Sequence, residues 1–336
     1  WTVWALFNLV YRWGWAPKLN NYRTFPFFAN PWIQDEPFRD ALLRILHSPG
    51  LPVWGWVVPS LLIAILLLLA WTLRRPSSAR IWPSLFGLYV LAIALPLSQA
   101  SLPDGAWNED GPGGSLLVPW NDAGSTMLYA MPRIQSTRDY LERFEHIQPS
   151  LKMTVHGLSH PPAASLSLFW IGKVMGVKGK DIRLPAVRLR YAIGLTAAGA
   201  LNVFVLFLIG RALFNTQTGF LAATLWATAP SVSAYITFAQ DSVYALFFNL
   251  AFFLIWQTVQ AERLSSSLRW GTLLGANFFM MVMMNYSWCL MTTLFVLFLG
   301  AARLRTPWTL KETVLRAAWS LSLMTLLTAL LLLPYH

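Results

Sequence analysis

The chain has 336 residues, of which 56% are hydrophobic and only 12% are charged, and its mean hydropathy is positive. Soluble domains carry roughly a quarter charged residues, so this composition excludes an ordinary soluble protein and indicates a membrane protein. The net charge of +11 is then no argument for nucleic acid, which we do not expect as a partner; anionic lipid head groups and lipid phosphates suit it better. Cys289 is the single cysteine, so no internal disulfide forms.

The N-terminal segment, residues 1–50, is rich in aromatic residues, proline and asparagine. We interpret it as an interfacial segment or as the end of a further span. The sequence starts at Trp1 and stops directly after an apolar stretch, as expected of a fragment or a processed product.

Eight apolar stretches follow residue 50, each long enough, or nearly so, to cross a hydrocarbon core that needs about 20 helical residues. Helices are expected because hydrocarbon offers the backbone no hydrogen-bond partners. The predicted fold is an all-α polytopic membrane protein with about eight transmembrane helices. Residues 51–80 form an extra N-terminal helix with its cytoplasmic connection, and residues 81–336 form the main transmembrane domain. The stretches are 51–73, 81–99, 191–209, 219–236, 243–259, 271–286, 287–302 and 317–334.

Basic residues at short connections predict the orientation, because cytoplasmic loops carry an excess of Lys and Arg. Alternation of the spans then places the long loop 101–190 on the non-cytoplasmic face of the cell (inner) membrane. The basic residues used for this assignment are Arg74, Arg75, Arg80, Arg211, Arg263, Arg269, Arg303, Arg305, Lys311 and Arg316.

Most of the 14 acidic residues lie between Asp104 and Asp241, so carboxylates gather on the side of the long loop and are nearly absent from the spans. Asp122 comes just before a predicted helix at about 124–134, and Asp241 stands at the start of a span. An acidic side chain in either place is a helix cap or a functional carboxylate.

Two more helices are predicted in the loop, each with an apolar stripe. On the first, a stripe under a charged face is typical of a helix in the membrane interface. The second starts at Ser159 or His160, because Pro161 and Pro162 fit only a first helical turn. Its free amides, with His160 beside them, suit a phosphate; a plain helix cap is the alternative for His160. The stripes are Tyr140, Phe144, Ile147 and Leu151, then Leu166, Phe169, Trp170 and Val174.

Six cations occupy the end of the loop, where the positive-inside rule does not place them. Each alone is explained by anchoring at lipid head groups, whereas the cluster suits a bound phosphate. The residues are Lys173, Lys178, Lys180, Arg183, Arg188 and Arg190.

The order of these elements from about residue 81 to the end resembles the GT-C superfamily of integral-membrane glycosyltransferases, closest to its protein mannosyltransferase and lipid A aminoarabinose transferase branch. The sequence departs from the family where Ala123 follows Asp122, since members often carry a second acid there, and where Ser159 stands in place of an acid that some use for metal. The elements are Trp120-Asn-Asp122, Ser159-His160-Pro161-Pro162, Ile182-Arg-Leu-Pro-Ala186, Gly210-Arg-Ala-Leu-Phe214, Gly219 to Pro230, and Tyr235-Ile-Thr-Phe-Ala-Gln-Asp241.

The resemblance implies transfer of a sugar from a polyprenyl-phosphate-linked donor to a lipid, protein or glycan acceptor at the outer membrane face. Asp122 is the candidate general base and Asp241 a second carboxylate that orients acceptor or sugar, while His160 and the six cations hold the departing phosphate. No residue is assigned to a metal, and a divalent metal cofactor is left open. The alternative is a non-catalytic GT-C-like subunit that scaffolds a membrane complex or binds lipid.

Overall fold

The computed structural model describes residues 51–74, 78–100, 131–144, 146–147, 162–178, 185–229, 241–284, 288–304 and 308–332, some of them by their backbone alone. In these segments every element of regular secondary structure is helical, which confirms the all-α prediction for the described part of the chain. The interpretation of residues 1–50 falls outside the described residues. The domain division at residue 80 stays a prediction.

The helices are numbered here in chain order. They are α1 (Leu51–Arg74), α2 (Ser78–Ala100), α3 (Thr137–Glu142), α4 (Pro162–Val174), α5 (Pro185–Ala200), α6 (Asn202–Leu213), α7 (Thr216–Thr228), α8 (Asp241–Gln260), α9 (Leu264–Met284), α10 (Trp288–Arg303) and α11 (Leu310–Leu332).

Four helical stretches in the described residues are long and apolar enough to cross a membrane. Shorter apolar helices occur at Ser60–Thr72 and Met291–Arg303. The fold is therefore compatible with a membrane protein that has several spans. The number of eight transmembrane helices stays a prediction. The four stretches are Ala79–Leu97, Arg190–Leu213, Ser242–Gln260 and Leu310–Leu330.

One end of the bundle, which we call the hairpin end, gathers the short connections between antiparallel helices. The end of α1 meets the start of α2 through a hydrogen bond from Thr72 Oγ1 to Ser84 Oγ at 2.8 Å. Trp82, also near the start of α2, lies edge-on to Phe207 of α6 with 6.1 Å between ring centroids. At the α8–α9 connection, Ser267 Oγ donates to the carbonyl oxygen of Thr258 at 2.8 Å.

The opposite end, the loop end, is closed by one buried cluster that joins the loop helix α4 to α5, α8 and α9. Small alanines and flexible methionines allow close packing of these helices. We call this group the loop-end cluster; it consists of Met131, Ala163, Ala164, Leu168, Tyr191, Leu195, Val243, Met283 and Met284.

The described part of the apolar stripe predicted for the first loop helix packs against α4. Tyr140 and Ile147 are 1% and 6% exposed and form a cluster with Leu166 of α4. Within the stripe predicted for α4, Leu166 is 2% exposed, whereas Trp170 and Val174 are 38% and 84% exposed and are available for lipid contact. The buried face of α4 is instead its run of small residues and leucines near the start of the helix, which faces the bundle.

Arg316 was expected in the connection before the last span, but it lies inside α11 and is 1% exposed. The helix starts earlier because Thr309 and Glu312 form a capping box. Thr309 Oγ1 accepts from the backbone N–H of Glu312 at 3.1 Å, and Glu312 Oε2 accepts from that of Thr309 at 2.8 Å. This T-x-x-E signal is readable in the sequence.

Candidate functional site

The start of α8 carries the second predicted carboxylate. Asp241 is the first residue of α8, and the structure describes its backbone but not its side chain. The next two residues, Ser242 and Val243, are 0% and 5% exposed. The helical turn to which Asp241 belongs is therefore anchored in the core at the loop end.

The start of α4 lies in the same part of the bundle. The described helix begins at Pro162, and proline is favoured in a first turn because the amide it lacks would have no helical partner. Ala163 and Ala164 are 4% and 1% exposed and share the loop-end cluster with Val243. The two helix starts that carry the predicted site thus contribute to one buried cluster.

The predicted phosphate-binding residues are described only in part. Three of them are exposed, Lys173 in the last turn of α4, Lys178 after it and Arg190 in α5. Arg188 belongs to α5, and the structure describes its backbone but not its side chain. Whether they form one cluster stays a prediction. The remaining site residues, Asp122, His160, Lys180 and Arg183, lie outside the described residues.

The loop helix α3 is held on α4 by polar contacts as well as by its apolar stripe. Trp170 Nε1 donates to Thr137 Oγ1 at 3.0 Å, and Ser136 caps α3 by accepting from the Asp139 N–H at 3.1 Å. Burial raises the pKa of the Tyr140 hydroxyl, an effect that its hydrogen bond with Ser165 of α4 partly offsets. The described part of the loop therefore forms a folded platform above the bundle.

Three asparagines connect helices inside the bundle, and none of them belongs to the site predicted from the sequence. Asn202 of α6 and Asn277 of α9 are 0% and 5% exposed. Asn202 Nδ2 donates to the carbonyl oxygens of Gly199 at 2.9 Å and of Ser242 at 3.2 Å. Asn249 of α8 donates to Asn202 Oδ1 at 2.8 Å. The available signal was an amide side chain within an apolar stretch, where polar groups usually mark contacts between helices.

Asn277 makes a comparable contact farther along α8. Its Nδ2 donates to the carbonyl oxygen of Phe247 at 2.9 Å and approaches the sulfur of Met281 at 3.6 Å. The asparagines therefore attach α8 to α6 at Ser242 and Asn249, and to α9 at Phe247.

Within the described residues, no three His, Cys, Asp or Glu side chains lie close enough together to hold a metal ion. No protein family, curated protein or solved structure matches this chain.

Proposed function

We propose that the protein is a membrane glycosyltransferase that moves a sugar from a polyprenyl-phosphate-linked donor to a lipid, protein or glycan acceptor. The observation that supports this proposal most is the shared loop-end cluster of α4 and α8. It joins the helix that follows His160 to the helix that begins with Asp241, so a phosphate site and a carboxylate are expected on one side of the bundle.

The proposed reaction uses residues with separate roles. Asp122 takes the proton from the acceptor hydroxyl. The hydroxyl oxygen of the acceptor at the same time forms a bond to the anomeric carbon of the sugar. The bond between that carbon and the phosphate oxygen breaks, and polyprenyl phosphate leaves with the electron pair. Asp241 orients acceptor or sugar.

The departing phosphate gains negative charge during the reaction, so positive groups held near it lower the barrier. His160 supplies a donor, and the start of α4 adds the partial positive charge of a helix N-terminus. The cations Lys173, Lys178, Lys180, Arg183, Arg188 and Arg190 would add full charges. In this arrangement the active loop lies on the non-cytoplasmic face of the cell membrane.

The experiment is a transfer assay with the full chain purified in lipid nanodiscs. Radiolabelled polyprenyl-phosphate-linked mannose, glucose and arabinose serve as donors, and membrane lipid, membrane protein and water serve as acceptors. We expect label from at least one donor to leave the polyprenyl fraction. If all three donors stay intact while the protein remains folded, the chain is instead a scaffold or lipid-binding subunit.

A further inference from the structure

The long apolar stretch from Arg190 to Leu213 is interrupted at Leu201, between α5 and α6. The Leu201 N–H donates to Ala198 O at 3.3 Å and the Phe204 N–H to Leu201 O at 3.0 Å, which are contacts three residues back, as in a 3₁₀ turn. The Val205 N–H also reaches Leu201 O, at 3.4 Å. Irregular backbone at membrane depth persists only where other protein groups satisfy it. A polar side chain is therefore expected at the interruption.

Asn202 is that side chain, and its amide joins two helices. One acceptor of its Nδ2 group is Gly199 O, beside the interruption, and the other is Ser242 O, in the first turn of α8. Its oxygen accepts from Asn249, which lies deeper in α8. The amide is thus attached to α8 at two levels, and with no exposed surface it has no water to compete for these bonds.

We propose that Asn202 is a positioning residue, which fixes the first turn of α8, and thereby Asp241, against the interrupted span of α5 and α6. The anchoring concerns the fold alone, whereas the catalytic consequence rests on the proposed function. Asn202 acts through the backbone of Ser242, the residue after Asp241, and takes no part in proton or sugar transfer.

Asn277 provides a matched control, because it is also buried and also donates its amide to a carbonyl of α8. Its acceptor is Phe247 O at 2.9 Å, one helical turn beyond the start of α8. Asn202→Leu and Asn277→Leu each remove one such amide from the membrane interior. Only Asn202→Leu releases the Ser242 carbonyl.

The first measurement is hydrogen–deuterium exchange of the full chain in nanodiscs, and it does not depend on activity. The informative amides are those of residues 245–248, whose helical acceptors are the carbonyls of residues 241–244. We expect Asn202→Leu to speed their exchange roughly three- to twenty-fold, the range that corresponds to loss of a hydrogen bond between membrane helices. Unchanged exchange, or an equal change in Asn277→Leu, would overturn the anchoring.

The second measurement is sugar transfer from the polyprenyl-phosphate-linked donors. For Asn202→Leu we expect kcat to fall about a hundredfold with little change in donor KM, because a small displacement of a reacting group is costly. For Asn277→Leu we expect kcat near the parental value. A parental kcat in Asn202→Leu with faster exchange would refute the positioning role.

The two proposals fail separately. If the parent transfers no sugar, the proposed function is wrong, and the exchange measurement alone decides whether Asn202 anchors α8. Should Asn202→Leu not fold, Asn202→Ala replaces it. This variant removes the amide donors without adding volume or a buried ionisable group, and the same exchange result is required of it.

Discussion

The side chain of Arg316 connects α11 to the segment between α8 and α9. Its guanidinium donates to the carbonyl oxygens of Ala261 at 2.8 Å and of Thr258 and Glu262, both at 3.4 Å, and it lies 3.8 Å from the centroid of the Trp308 ring. Thr258 is in the last turn of α8, and Ala261 and Glu262 follow it, so the arginine ties α11 to the α8–α9 connection.

We therefore expect Arg316→Met to lower the free energy of unfolding by about 2 kcal/mol, because the hydrogen bonds from a charged donor to these carbonyls are lost. Lys311→Met is the control, since Lys311 is an exposed cation of the same helix. Thermal unfolding in detergent measures both. Equal melting temperatures for the two variants would show that Arg316 is not an anchor.

Asp122 is the residue on which the proposed chemistry depends most. Asp122→Asn keeps the size and the capping ability of the side chain but cannot take a proton, so we expect transfer to slow about a hundred- to ten-thousand-fold. Asp139→Asn is the control in the same loop, where Asp139 pairs with Arg143 on an exposed face of α3. A parental rate in Asp122→Asn would make Asp122 only a helix cap.

Residues with partners nearby in the sequence are easier to predict than residues with partners on distant helices. The capping box at Thr309 and Glu312 is local, so its spacing is enough to place the start of α11. The partners of Asn202, Asn277 and Arg316 lie on helices distant in sequence, and their choice depends on how those helices pack. Chain order gives no access to that information.

At the scale of elements, close contact of α6 with α7 depends on two glycines. A Cβ atom on Gly219 would lie 2.5 Å from the carbonyl oxygen of Phe207, and one on Gly210 would lie 2.7 Å from the Cα of Gly219. Both clashes involve backbone atoms, which cannot rotate away. The two helices can therefore approach this closely only while both positions lack a side chain.

We expect Gly219→Ala to lower the free energy of unfolding by about 1–3 kcal/mol, because one helix must move away from the other. The matched control is Gly300→Ala in α10, where an added Cβ meets nothing within 4 Å. There alanine should stabilise the helix by up to about 1 kcal/mol. Destabilisation of the same size in both variants would contradict the packing of α6 on α7.

The loop helices mark the limit of prediction from periodicity. The stripe containing Tyr140 and Ile147 correctly indicated a buried face, yet a stripe alone does not say whether lipid or protein covers it. In the structure the cover is Leu166 and Phe169 of α4. For α4 the apolar stripe did not indicate which residues contact the bundle, and in the structure small residues such as Ala163 and Ala164 are among the buried ones.

For the whole molecule, composition and hydropathy predicted the helical class, and the spans drawn from the sequence overlap described helices. Their number and sidedness depend on a membrane boundary that helix length alone does not define. Exposed apolar side chains on α11, including Trp319 at 46% and Leu326 at 55%, are suited to lipid contact. The whole-molecule proposal is that the hairpin end faces the cytoplasm.

Cysteine labelling checks this orientation in a Cys289→Ser background, in sealed right-side-out vesicles. We expect a membrane-impermeant maleimide to label a cysteine at Gly113, in the loop, and to label one at Ser266, at the hairpin end, only after the vesicles are opened. The reason is the cluster of arginines at the short connections. Labelling of both positions from the same side would contradict the topology.

We propose that Asp122 and Asp241 belong to one site at the loop end, and cross-linking with a short bismaleimide tests this most directly. In the Cys289→Ser background, cysteines at Thr137 and Trp170 form the positive control, since these side chains are in contact. Cysteines at Asp241 and Ser266, which lie at the start of α8 and beyond its other end, form the negative control. We predict that cysteines at Asp122 and Asp241 cross-link as readily as the positive pair; cross-linking no better than the negative pair would contradict the shared site.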